Sequence, residues 1–303
     1  MSGPPVLVTG LPRSGTSWTG RMLAAGGELV YVNEPLNPGH PPGRSPGVLN
    51  ATVTHRFQYI CRDNEAPWLT AFADTVALRY RFGAELRRNR SPYDLARMAK
   101  YGVAFTLGRL LGRRALLDDP FALLSAGWFH DRLGCRVIVL IRDAVGFVGS
   151  WQRLGWTIRV EELLGQPCLV RDHPCVARLD ALAGSADRVA KAAALWTTAR
   201  EIVTAVARDR PAIHLVHYED LVRDPVGGFR DLYDQCGLAW TPRVAGRVAR
   251  SCSAPAPAAG PAFHRTGLSR TAYRPMNGVS ALTSYHDRLT TEEIQRITLL
   301  TGA

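Results

Sequence analysis

Five short apolar runs, rich in β-branched residues, punctuate the chain: VLVTG (6–10), ELVYV (28–32), RALLDD (114–119), RVIVLIR (136–142) and IHLVHYE (213–219). Each is too short for a buried helix, and apolar residues follow one another instead of alternating with polar ones. That pattern belongs to strands covered on both faces. Segments of helical period lie between them. The clearest spans Ser185 to Arg208, where Val189, Ala193, Trp196, Ala199, Val203 and Val206 recur at three- and four-residue spacing and form one apolar stripe. Ser125 to Leu133 and Ala144 to Leu154 read as helices flanking the fourth strand. Strands alternating with helices predict an α/β fold, a three-layer α/β/α arrangement around a central parallel sheet.

Two segments break the pattern. NPGHPPGRSPG (37–47) and SAPAPAAGPA (253–262) are dense in proline, glycine and alanine and predict loops. Residues 50–113 carry two helical stretches and no strand signal, so a helical insertion separates the second and third strands. We expect one domain over residues 1–303, with residues 37–113 forming a lid or acceptor wall. In open α/β sheets ligands bind beyond the carboxyl ends of the strands, and this insertion leaves from such an end.

The first apolar run leads into GLPRSGTS (10–17) and then into the helical segment SWTGRMLAA. Strand, glycine loop and helix together form a phosphate cradle, because loop N–H groups and the unpaired N–H groups of the helix start point at one spot. The sheet is therefore expected to be P-loop nucleotide-binding-like. Ser14, Thr16 and Ser17 add hydroxyls. The ATP- and GTP-binding form of this loop has lysine after its second glycine. Here Thr16 stands there, and the nearest cation is Arg13, within the loop. Such a loop suits a ligand with a single phosphate in the cradle. A kinase or nucleotide hydrolase using ATP and magnesium is the alternative, with Asp118 or Asp119 as the metal-binding carboxylate.

Composition sharpens this modestly. The 303 residues hold 37 Lys+Arg against 26 Asp+Glu, a net +11, which favours anionic ligands. Only Lys100 and Lys191 are lysines. No aromatic-basic interleave or recognised motif suggests nucleic acid. There is no run of 18 apolar residues and no secretory leader pattern, so a cytoplasmic protein without a membrane span is expected. The six cysteines show no disulfide or zinc spacing. Cys168, His173 and Cys175 lie close in sequence but lack a neighbouring fourth ligand, and no metal is expected.

PRSGTSW (12–18) resembles the 5′-phosphosulfate loop of sulfotransferases that use 3′-phosphoadenosine 5′-phosphosulfate. VIVLIRDAVGFVGSW (137–151) is similar to that family's 3′-phosphate motif, an arginine ending a strand with a serine eight residues later. VHYEDLVRDP (216–225) resembles its Tyr-Glu-Asp segment. The three occur in the family's order, nearest to bacterial and carbohydrate-type members. The resemblance implies a sulfuryl transfer to a hydroxyl or amine of a small-molecule, sugar or natural-product acceptor, with 3′-phosphoadenosine 5′-phosphate as by-product, no metal, and a monomer or homodimer. It implies that Arg13 stabilises the bridging oxygen, that Ser14, Gly15, Thr16 and Ser17 hold the 5′-phosphate, that Trp18 stacks on adenine with Tyr218 beside it, and that Arg142 and Ser150 bind the 3′-phosphate. The chain departs from the pattern at Ala144, where a proline is common, and at Asp118–Pro120, where many members carry a lysine. For the basic loop that closes over the 3′-phosphate, Arg265, Arg270 and Arg274 are the candidates.

The acceptor's proton needs a base within hydrogen-bond reach. Glu34, in VNEP just past the second strand, is the first choice. Pro35 is expected to hold it extended, and the second strand is expected beside the loop strand. Carbohydrate-type relatives carry a comparable glutamate as base. His55, His130 and His217 sit in no matching motif, and His217 is expected at the core or sheet edge. Asp119 could orient the acceptor.

Overall fold

A computed structural model describes residues 3–39, 52–88, 91–253, 264–266, 269–271, 277–283, 285 and 289–302. Its centre is a sheet of five strands: β1 (Val6–Gly10), β2 (Leu29–Asn33), β3 (Arg114–Asp118), β4 (Arg136–Ile141) and β5 (Ile213–His217). Their order is β2-β3-β1-β4-β5, and every pairing is parallel. All five apolar runs are strands, within a residue or two of their predicted ends. The fifth stops early because Tyr218 and Glu219 open a helix. One expectation fails: β2 does not lie beside β1, since β3 runs between them.

The helices are α1 (Thr16–Leu23), α2 (Ala66–Val76), α3 (Phe82–Arg88), α4 (Pro92–Leu110), α5 (Ala126–Leu133), α6 (Ala144–Arg153), α7 (Glu161–Leu164), α8 (Pro167–Asp172), α9 (Arg188–Arg208), α10 (Tyr218–Arg223), α11 (Pro225–Gln235), α12 (Pro242–Cys252), α13 (Gly278–Thr283) and α14 (Thr291–Thr301). Burial shows why the strand runs lack alternation. Leu7, Leu117, Val137 and Val139 enter a core with residues of α2, α5, α6 and α9. Val6, Val8, Leu116, Ile138 and Leu140 enter a second core, on the other face, with residues of α1, α10, α11 and α12. The fold is the expected three-layer α/β/α.

Between β2 and β3 the described residues hold three helices, not two stretches. The start of α4 is set by Ser91, whose Oγ accepts from Asp94 N at 3.1 Å, and by Pro92 at the first helical position. Most of the predicted 37–47 loop, and the 253–262 segment after Ser253, lie outside the described residues, as does Arg274. Arg265 and Arg270 face each other in a short antiparallel pair, β6 (His264–Thr266) and β7 (Ser269–Thr271). No described helix is long and apolar enough to cross a membrane.

Candidate active site

The site forms where the carboxyl ends of β1, β2, β3 and β4 meet. β1 ends at Gly10, where only glycine fits, since a Cβ would stand 2.5 Å from the Leu140 carbonyl oxygen. The loop then turns sharply: Arg13 has φ 81° and Gly15 φ 95°, both left-handed. At Gly15 only glycine fits, since a Cβ would stand 2.6 Å from Cδ2 of the Tyr218 ring. Carbonyls of the loop are tied within it and from outside. Leu11 O accepts from Ser14 N at 3.0 Å, Pro12 O from Trp151 Nε1 at 3.0 Å, and Arg13 O from Arg142 Nη1 at 2.9 Å. No side chain caps the N-terminus of α1. Its first N–H groups are therefore left for an anion.

Arg13, Ser150, Arg142 and Tyr218, scattered over two hundred residues, come together here. Arg13 Nε donates to Ser150 Oγ at 3.4 Å. The Arg142 guanidinium lies over the Tyr218 ring, 5.0 Å from its centroid. Its Nε is buried without a hydrogen-bond partner. Trp196 Nε1 holds the Arg142 carbonyl at 2.8 Å, and Arg200 packs over Trp196 at 5.0 Å. Ser14, Arg142, Trp196 and Arg200 border one shallow recess. Sequence reasoning missed Arg200, because its helix was read only for its apolar stripe. Burial pushes the Tyr218 hydroxyl above its ordinary pKa, against the opposing pull of Arg142.

Trp18 differs from expectation. It is 4% exposed, donates Nε1 to Ser251 Oγ at 2.8 Å, and meets Tyr218 and Phe229 edge-on. With both core neighbours against it, the indole supports the loop from beneath and offers no face for a base to stack on.

Three carboxylates crowd the ends of β2 and β3. Glu34 follows β2, and its N–H donates to Asp118 O at 2.7 Å. Its backbone is not extended, as Pro35 led us to expect, but left-handed with φ 46°. The turn explains this, because Glu34 O accepts from Asn37 N at 3.1 Å and the Asn37 amide donates to the Glu34 carboxylate. Burial, reinforced by the charge of Asp118, raises the Glu34 pKa from 4.5 to about 7, against the lowering effect of Asn37. Asp118 is fully buried. Burial raises its pKa to about 6, while hydrogen bonds from Tyr31, Ser17 and Thr16 pull it down. Arg21 of α1 stacks over Tyr31, 5.0 Å from the centroid, and its charge reaches Asp118. A cation from α1 therefore reaches the carboxyl end of β3, where Asp118 to Pro120 carry no lysine. Asp119 accepts from Leu36 N at 2.6 Å and Phe121 N at 2.9 Å, so both its oxygens are committed to backbone. Asp119 therefore shapes the Glu34 turn and starts the turn after β3; it does not face an acceptor.

The histidines are elsewhere occupied. His130 Nδ1 bonds Cys135 O at 3.1 Å, and His55 Nδ1 bonds Thr54 Oγ1 at 2.8 Å. His217 is exposed at the end of β5, the edge strand of the sheet, which is the sheet-edge place expected for it. Cys168 gathers with Cys61 and Asp63, ligand atoms within 4.8 Å, and not with His173 and Cys175. Arg171 pairs with Asp63 inside that cluster, and all six thiols are free.

A parallel sheet with an uncapped helix behind a glycine loop, and two arginines converging on it, makes a site suited to an anionic ligand. Residues 3–300 match the sulfotransferase domain family, so the chain belongs to that family. This decides against the magnesium-dependent kinase. No curated protein matches the sequence. Among solved structures the chain is similar to a sulfotransferase domain from the curacin biosynthetic pathway (14% identity, 97% of this chain, 96% of that one, TM-score 0.47). It is also similar to the sulfotransferase domain of the Synechococcus olefin synthase (19%, 80% and 77%, TM-score 0.39) and to a sulfotransferase of Mycobacterium tuberculosis (15%, 99% and 77%, TM-score 0.43).

Proposed function

We propose that this sulfotransferase moves the sulfuryl group of 3′-phosphoadenosine 5′-phosphosulfate directly onto a hydroxyl, or an amine, of a small-molecule, sugar or natural-product acceptor. The observation that carries the reading is the convergence of Arg13, Arg142 and Ser150 on an uncapped helix start, with Arg142 Nε buried and unpaired. An orphaned guanidinium N–H of Arg142, and a Ser150 hydroxyl held by the loop arginine, fit a second phosphate beside the first. ATP lacks that group.

In this reading the loop N–H groups and α1 hold the 5′-phosphate, and Arg142 and Ser150 hold the 3′-phosphate. Arg13 lies between the two. Its guanidinium stabilises the charge that grows on the oxygen bridging phosphorus and sulfur as that bond breaks. Glu34 takes the acceptor proton. A carboxyl with a pKa near 7 is half ionised at neutral pH and is a stronger base than an ordinary glutamate. Attack and departure lie in line, so no covalent enzyme intermediate is needed. Helices α2 to α4, which leave and rejoin the sheet at β2 and β3, form the acceptor wall. Cytoplasmic action without a metal fits this chemistry, since the charge comes from arginines.

Thermal melting tests it. 3′-Phosphoadenosine 5′-phosphate without magnesium should raise the melting temperature, and ATP with magnesium should raise it less. The reverse order would refute the nucleotide assignment.

A further inference from the structure

Helix α4 is apolar on both sides. Its inner face is explained by packing: Gly102 lets Phe82 of α3 approach, Gly108 lets Val30 of β2 approach, and Phe105 is fully buried. Its outer face is not explained. Val103 is 55% exposed, Leu107 50% and Leu110 76%, and the next residue, Leu111, is 62% exposed. Ala96 and Ala99 complete the same stripe, with Lys100 and Arg109 at its margins. A surface helix normally turns charge outward, and a helix apolar all round is a buried one. Among the described residues nothing covers this face.

We infer that the outer face of α4 is a two-fold interface with a second copy of this chain, the two α4 helices lying antiparallel and crossing at Val103. The spacing of the stripe supports that occupant. In an antiparallel pair centred on Val103, residues whose numbers sum to 206 stand at the same level. Leu107 then meets Ala99 of the other copy, Leu110 meets Ala96, and Leu95 meets Leu111. Large side chains face small ones along most of the helix, which is how ridges fill grooves. Val103 meets its own counterpart, as an isologous interface requires. Lys100 is the charge nearest the stripe; it stands level with Thr106 of the other copy and not with a like charge, and such cations are screened over roughly 8 Å at physiological salt. The 19-residue helix is about 28 Å long. Together with Phe82 and Leu86 of α3, 50% and 56% exposed, it offers on the order of 800 Å² per copy, the size of a stable interface.

Sedimentation velocity on the whole chain tests this, at concentrations up to about 100 µM, where an interface of this size associates. A dimer is expected. Val103→Arg and Val103→Glu each place like charges face to face at the two-fold axis, and each should weaken dimerisation by roughly a hundredfold or more. Mixing the two variants should restore a dimer, because Arg then faces Glu. Val103 is exposed, so both variants should keep the parent's melting temperature to within a degree or two. A monomeric parent chain would overturn the inference. So would a dimer untouched by both substitutions, or a mixture that stays monomeric. Vesicles of anionic phospholipid supply the remaining arm: a monomer that binds them through Val103 would assign the face to a membrane surface instead.

Discussion

Replacing Glu34 with Gln separates chemistry from folding in one variant. In the folded chain its carboxyl is raised from 4.5 to about 7 by burial and by Asp118. At 1.36 kcal/mol for each pH unit, ionising it costs roughly 3 kcal/mol more in the fold than in the unfolded chain. Glu34 is only half-buried, and solvent screening reduces this to about 2 kcal/mol. The sign follows from the raised pKa. The fold favours the protonated form, so this contribution is fully present below pH 4.5 and is lost as pH rises through about 7. Gln mimics the protonated acid and keeps an oxygen for the Asn37 amide. Glu34→Gln should therefore melt like the parent at pH 4 and roughly 4 °C higher at pH 8, with ~2 °C per kcal/mol for a chain of this size. Turnover should fall by about 10²–10⁴ with nucleotide binding unchanged. In the parent, kcat/KM should rise with pH through about 7, and the residual activity of the variant should lack that rise. Scanning calorimetry at the two pH values and a radiolabelled-sulfate assay check both halves. Equal melting shifts at pH 4 and pH 8 would refute the buried-carboxylate argument; unchanged turnover would refute the base.

Arg142→Ala should weaken 3′-phosphoadenosine 5′-phosphate by about tenfold to a hundredfold, the loss of charge-assisted hydrogen bonds, and should weaken the analogue lacking the 3′-phosphate far less; titration calorimetry reads the difference. Gly15→Ala forces a side chain into φ 95° against Tyr218, costing at least about 1–3 kcal/mol, so its melting temperature should drop by several degrees and nucleotide protection should vanish. Tyr31→Phe removes a donor from buried Asp118, and the loss of about 1–3 kcal/mol should appear above pH 6, where Asp118 is ionised, and shrink below it. Urea unfolding at pH 5 and pH 8 measures that difference.

Much of this arrangement was legible in the chain. Strands buried on both faces leave unbroken apolar runs, and parallel pairing follows from the helices between them. GLPRSGTS and the Arg142–Ser150 spacing mark the two ends of the proposed nucleotide site because both depend on local backbone geometry. What escaped depends on contacts distant in sequence. The position of β3 between β1 and β2 is set by a crossover through the insertion, which no local pattern records. Trp18 carries a family role in its motif, but Ser251 and Phe229 bury it here. Glu34 was placed at the right strand end with the wrong backbone, since the Asn37 turn outweighs the preference of a residue before proline. Arg21 was invisible as a partner of Asp118 because the two meet only when α1 docks on β3.

The loop carbonyls held by Trp151 and Arg142 have a kinetic side. Ordering a free backbone costs about 1–2 kcal/mol per residue. A slack five-residue loop would forfeit several kcal/mol on closing around its ligand, which is more than a thousandfold in affinity. Here β4 and α6 have already met that cost during folding, through Pro12 O and Arg13 O. In the proposed reaction the nucleotide therefore enters a finished mould, and its entry should be limited by diffusion and guided by charge. Departure of the spent nucleotide, which must break the same preset contacts, is then the natural slow step of the cycle.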